Sequence, residues 1–155
     1  MLIRHVMNPK SAKVGADITI KRAAEMMVIT QASDLVVVDD NDRFIGVVSE
    51  GDLIREVLPD VDEVFHAGGS MKDAQRALIE SGARLHDQTI ERLIIHNPFI
   101  VRPDDALLTA AAVMIDKNVR RMPVVSDDGR YYGTVSRADI CWALLVPNPD
   151  PPTDE

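Results

Sequence analysis

The sequence predicts a mixed α+β fold: two β-α-β-β-α repeats packed about a pseudo-twofold axis. Three observations predict it. Residues 14–53, shifted by 87, align on 101–140 without a gap, and thirteen of the forty pairs are identical. Within each copy, helical spacing of apolar residues alternates with short β-branched runs, so helices and strands are interleaved. Each copy is also only about 50 residues long, too small to bury an adequate core alone, so the two must share one.

The elements follow in order. Val14 opens the first copy as a short lead-in strand. Ala23, Ala24, Met27 and Val28 recur at helical spacing. Leu35 to Val38 is a continuous run of strand-forming residues, read as a buried strand. Asp39-Asp40-Asn41-Asp42 signals a turn, and Phe44 to Val48 a second strand that completes a hairpin. Ser49 opens a helix bearing Leu53, Ile54 and Val57, which Pro59 ends. The second copy repeats the order: a lead-in strand at Phe99 to Val101, a helix from Ala106 to Ile115, strands at Met122 to Val125 and Tyr131 to Val135, and a helix from Ser136 to Leu145.

The domains expected are 1–57 for the first repeat, 58–92 for a helical insert, 93–146 for the second repeat and 147–155 for a disordered tail rich in proline. In the insert, Ser70 with Asp73 forms a capping-box pattern ahead of a helix through Ile79. Asp87 is read as the cap of a further helix holding Ile90, Leu93 and Ile94.

Composition excludes several functions. A net charge of −8 argues against a nucleic-acid partner, which needs a broad basic surface. No apolar run reaches the ~18 residues of a membrane span, and Met1 to Arg4 lacks a signal-peptide apolar region, so the expected compartment is the cytoplasm with no membrane partner. The lone Cys141 is read as a structural thiol on a packed helix face. The four histidines are isolated, with no metal-ligand spacing and no catalytic signature nearby. No enzymatic activity is expected.

One motif occurs in both copies: Gly46-Val47-Val48-Ser49-Glu50-Gly51-Asp52 and Gly133-Thr134-Val135-Ser136-Arg137-Ala138-Asp139. On one reading its Ser and Asp form a capping box that satisfies the amides of the helix start and do nothing else. The same geometry offers helix amides and a hydroxyl to a phosphate, and a carboxylate to a ribose. The second copy adds a basic island. From Lys117 to Arg137, five basic residues face two acidic ones, a local +3 in a chain of −8. Arginine forks suit phosphate oxygens, but they also suit helix C-termini.

The duplicated unit, with both G-x-x-S-x-x-D motifs, Val36-Val37-Val38-Asp39 and Pro123-Val124-Val125-Ser126, Arg120-Arg121-Met122-Pro123, and the lead-in pairs Asn8-Pro9 and Asn97-Pro98, resembles a tandem pair of cystathionine-β-synthase (CBS) domains, a Bateman module. The resemblance implies a homodimeric regulatory module that binds an adenosyl ligand, AMP, ADP, ATP or S-adenosylmethionine, in a cleft between the copies, with no catalytic cofactor. It assigns ligand contacts to Asp139, Ser136, Arg137, Arg120, Arg121, Met122 and Pro123, and secondarily to Asp52 and Ser49. A separate effector protein would read the bound state. The alternative is a dimerisation module that binds no ligand. The first copy carries Ser33-Asp34 and Glu50 where the second carries Arg120-Arg121 and Arg137, so one competent site per chain is expected.

Overall fold

The duplication in sequence is also a duplication in space. The structure, a computed structural model, describes residues 1–146; the tail expected at 147–155 lies outside the described residues. The first copy runs β1 (Lys13–Val14), α1 (Ile20–Thr30), β2 (Asp34–Val38), β3 (Phe44–Ser49) and α2 (Glu50–Val57). The insert supplies α3 (Val61–His66) and α4 (Met71–Leu85). The second copy runs α5 (Leu107–Asp116), β4 (Arg121–Val125), β5 (Tyr131–Ser136) and α6 (Arg137–Leu145).

Local chemistry sets the boundaries. Thr19 caps α1 by accepting from the Arg22 amide at 3.1 Å. The helix then stops at Gln31, which takes a left-handed conformation, as its counterpart Asn118 does after α5. β2 and β3 pair antiparallel, with Leu35 opposite Val48, and β4 and β5 repeat the register, with Met122 opposite Val135. β1 adds in parallel on β2 through Val14 and Val37. The expected second lead-in strand shrinks to a single parallel bridge, Val101 to Val124. The partner of Ile100 would be Pro123, which has no N–H to give, whereas Lys13 meets Val36.

Each copy borrows part of its core from the other's lead-in. Ile3 is fully buried in the second core with Val101, Met114, Met122 and Val135. Ile90 is fully buried in the first with Met27, Leu35, Val48 and Leu53. The backbone crosses over in the same way: Asn8 bridges Thr134, and Ile95 bridges Val47. These positions are 87 apart, so the pseudo-twofold extends well beyond the aligned forty residues. It also corrects the lead-in comparison, because Asn8 is equivalent to Ile95 and not to Asn97. The axis passes by Arg43 and Arg130, which bridge each other. Beside them the Phe44 amide donates to Gly129 O at 2.9 Å and the Tyr131 amide to Asp42 O at 3.0 Å.

The insert departs from expectation. Ser70 does cap a long helix through the expected box with Asp73. The helix expected after Asp87 does not form; only a single 3₁₀ turn is present, at Glu91–Leu93. The Ile20 amide bonds to Gln88 O and the Ile90 amide to Ile18 O, and Thr19 bridges Thr89. This pairing holds 88–90 against the approach to α1 while Ile90 enters the core. Cys141 is exposed, not packed. On α6 the inward face passes through Ile140, one position short of it.

Candidate ligand-binding site

A groove of about 350 Å³ opens between the copies, lined by Ser33, Asp34, Arg120, Arg121, Ser136, Arg137 and Ala138. Its walls are the starts of β2 and β4 and the N-terminus of α6. Of the residues expected at a ligand site, Arg120, Arg121, Ser136 and Arg137 are brought together here. Met122, Pro123, Asp139, Ser49 and Asp52 are not among its lining residues. Met122 and Pro123 are buried, and the Met122 side chain belongs wholly to the second core. The pleat explains Met122, since Arg121 and Met122 must point to opposite faces.

Ser136 and Asp139 form a complete capping box. Asp139 Oδ2 accepts from the Ser136 amide and from its hydroxyl, both at 2.7 Å. Oδ1 of Asp139 accepts no hydrogen bond among the described residues. The first copy is built the same way but finished differently. Asp52 Oδ2 accepts from the Ser49 amide at 3.0 Å and hydroxyl at 2.6 Å. Its Oδ1 is taken by the Arg55 guanidinium. Burial alone would raise the Asp52 carboxyl, but the Ser49 and Arg55 bonds outweigh it and hold the group below its ordinary range. Trp142 stands where Arg55 would be in the second copy. The sequence reading overlooked Arg55, although an arginine three residues after a helix-start aspartate is a legible pairing signal.

The basic island separates in space. Arg137 turns inward: its Nε donates to Val119 O at 2.9 Å, and one Nη donates to Met114 O at 2.7 Å and to Asn118 Oδ1 at 3.1 Å. It therefore caps the C-terminus of α5, where a cation suits the helix dipole. Arg130 lies over the Tyr132 ring at 5.8 Å. Lys117 pairs with Asp116 at 2.7 Å. Arg120 and Arg121 remain on the groove. Arg121 Nη1 stands 3.8 Å from Asp34 Oδ1, with both side chains mostly buried. Burial pushes the Asp34 carboxyl above its ordinary value; Arg121 and the Ser33 hydroxyl oppose the shift, and Glu50 adds to it. Behind this pair Tyr131 shares a 2.7 Å hydrogen bond with the Ser11 hydroxyl. Burial pushes the phenol up as well.

The sequence model of the CBS domain matches this chain twice, at residues 3–59 and 90–146. The chain belongs to the CBS-domain family. The CBS domain-containing protein CBSX2, chloroplastic, of Arabidopsis thaliana is 26% identical over 153 residues, covering 91% of this chain and 58% of that protein. The chain therefore spans little more than half of that relative's length. The crystal structure of CBSX2 in complex with AMP superposes with a TM-score of 0.71 at 25% identity, covering 93% of this chain and 96% of that one. A CBS-domain-containing protein from Bacillus anthracis has the same fold, with a TM-score of 0.74 at 18% identity over 93% and 92% of the two chains. The pair of CBS repeats and the mixed α/β architecture are thus those of the family. Among the described residues no group of His, Cys, Asp or Glu is placed to hold a metal ion, and no helix is long and apolar enough to cross a membrane.

Proposed function

We propose that this CBS pair is a non-catalytic regulatory module of the cytoplasm that binds one adenosyl ligand per chain at the second-copy motif. The observation that carries the reading is the difference between two equivalent carboxylates. Asp139 keeps Oδ1 open for a ribose hydroxyl pair, whereas Arg55 occupies Oδ1 of Asp52. Arg120 and Arg121 face the groove as phosphate partners, and the Ser136 hydroxyl stands at the helix start beside them. The AMP complex of CBSX2 supports a nucleotide as the ligand. AMP, ADP, ATP and S-adenosylmethionine are the candidates. The response is a population shift: a ligand touching both copies favours one relative arrangement, which a separate effector protein reads.

The module acts as a homodimer. Val28 and Ile29 on α1, Leu108 and Ile115 on α5, and Trp142 and Leu145 on α6 are each more than two-thirds exposed. A second copy covers these apolar side chains.

A thermal-shift panel with AMP, ADP, ATP, NAD and S-adenosylmethionine tests the ligand reading. A ligand at 100 times its Kd adds about 2.7 kcal/mol, which raises Tm by roughly 5–10 °C in a domain of this size. Asp139→Ala should abolish the shift while Asp52→Ala retains it. The second reading, a dimerisation module without a ligand, is favoured by one fact: Arg137 is already spent on Met114 O of α5 and on Val119 O just beyond it. A panel with no shift at millimolar concentration would decide for it.

A further inference from the structure

Asp34 and Arg121 face the same groove from opposite copies. Arg137 is committed to the end of α5, so the groove offers a phosphate only the guanidinium groups of Arg120 and Arg121. Asp34 stands 3.8 Å from one of them. Glu50, at the start of α2, is close enough to act on the Asp34 carboxyl. An incoming anion thus meets the two cations and the Asp34 carboxylate in the groove lining, with the Glu50 charge acting on Asp34 from outside it. The Asp34 side chain is 20% exposed and that of Arg121 29%, so water screens their charges only in part. A single phosphate can take Arg120 and share Arg121 with Asp34. Each further phosphate brings negative charge with no additional cation to receive it.

We propose that Asp34 is a specificity-determining residue that sets the groove against polyphosphates, so the ligand is an adenosyl compound with one phosphate at this end or none. The inference rests on the adenosyl-ligand reading above and narrows its substrate class. It also identifies the position: the residue equivalent to Arg121 is itself the carboxylate that competes with phosphate for that arginine.

The test is calorimetric titration of the full chain with adenosine, AMP, ADP and ATP in magnesium-free buffer. Wild type should bind AMP more tightly than ATP. Asp34→Asn should leave adenosine affinity unchanged, improve AMP by roughly twofold and improve ATP by roughly tenfold or more, a change of about fivefold in their ratio. Asp34→Glu, which keeps the charge, should keep the wild-type order. A purely structural role for Asp34 would move all four ligands together. An ATP-to-AMP affinity ratio in Asp34→Asn within twofold of wild type overturns the proposal. Failure of every nucleotide, of adenosine and of S-adenosylmethionine titrated beside them to bind wild type and variant alike overturns the adenosyl reading itself.

Discussion

Asp34 and Arg121 hold the same place in the two copies, 87 residues apart, and meet at 3.8 Å across the axis that relates them. A position on a twofold axis brings a residue against its own counterpart. Two arginines there would repel in a half-buried site unless an anion lay between them, and two aspartates would need a cation. Opposite charges resolve the conflict without a ligand. The pair therefore holds the two walls of the groove together and also limits what can enter it.

The pair has a pH signature. Burial lifts the folded-state Asp34 carboxyl above its ordinary value of 3.8. Between 3.8 and that raised value the folded chain holds a proton that the unfolded chain has lost, so stability falls as pH rises through the window. Asp52 has the opposite sign: its carboxyl is held low, so its contribution is present above 3.8 and is lost as pH falls below. Thermal denaturation between about pH 3 and pH 7 should show Asp34→Asn gaining on wild type as pH rises above 3.8. Asp52→Asn should lose ground on wild type as pH rises through the acid range below it. Parallel profiles for the two variants would contradict these assignments.

Arg137 separates stability from binding. Its three bonds to the end of α5 join the two helices that flank β4 and β5. Arg137→Ala removes the guanidinium from Val119 O, while Met114 O keeps the Val119 amide at 3.0 Å, and should cost about 1.5–3 kcal/mol, because hydrogen bonds from charged donors are the stronger class. Arg121→Ala should cost far less stability and far more AMP affinity. If Arg137→Ala melts with wild type and loses AMP binding, its guanidinium serves the ligand and the capping role is secondary.

The repeat made most of the fold legible, because a 2-residue and a 3.6-residue period alternate twice at one offset. Both hairpins and three of the four repeat helices fall within about two residues of the elements read from the sequence, and α1 at Ile20–Thr30 encloses the four apolar positions read as helical, Ala23 to Val28. What the sequence concealed was long-range. No local pattern shows that Ile90 belongs to the core of the first copy, or that 88–90 pair with 18–20 instead of coiling. The site was legible in its residue types and not in their directions. Arg120, Arg121 and Arg137 read alike as a basic island, yet the third is turned inward by carbonyls 18 and 23 residues away. Asp34 was visible as a change of charge between copies. That it shares a groove with Arg121 follows only from the axis.

The crossover of the lead-ins depends on two equivalent glycines. A Cβ on Gly133 would lie 2.4 Å from Asn8 O, and one on Gly46 would lie 2.4 Å from Ile95 O. Gly133 also has a φ of +151°, which side-chain-bearing residues rarely adopt. Alanine at either site must push the borrowed segment off its host sheet. Gly133→Ala should be the worse of the two, because it adds backbone strain to the clash, and each should cost about 2 kcal/mol or more. Chemical denaturation reads the loss. Hydrogen exchange should show protection falling at Asn8 and Thr134 for Gly133→Ala, and at Val47 and Ile95 for Gly46→Ala. Loss spread evenly over both junctions would mean that the two crossovers do not act as separate locks.

The exposed apolar helices give the assembly its own test. Ile115 on α5 and Trp142 on α6 are 74% and 69% exposed, so neither supports the core of its own chain. A polar replacement at such a position costs a monomer little stability. If a second copy covers these side chains, Trp142→Glu and Ile115→Glu each place a charge in a desolvated apolar interface and should weaken association at least a hundredfold. Sedimentation of the wild type should give twice the 17.1 kDa chain mass, and the variants should sediment as single chains. Wild-type Tm should rise with protein concentration, as it does when folding and association are linked, while the variants' Tm stays flat. AMP binding by a monomeric variant would show that each chain carries a whole site, as expected when both walls of the groove come from one polypeptide. A wild type that sediments as a single chain would remove the dimer, leaving α1, α5 and α6 as the face presented to an effector.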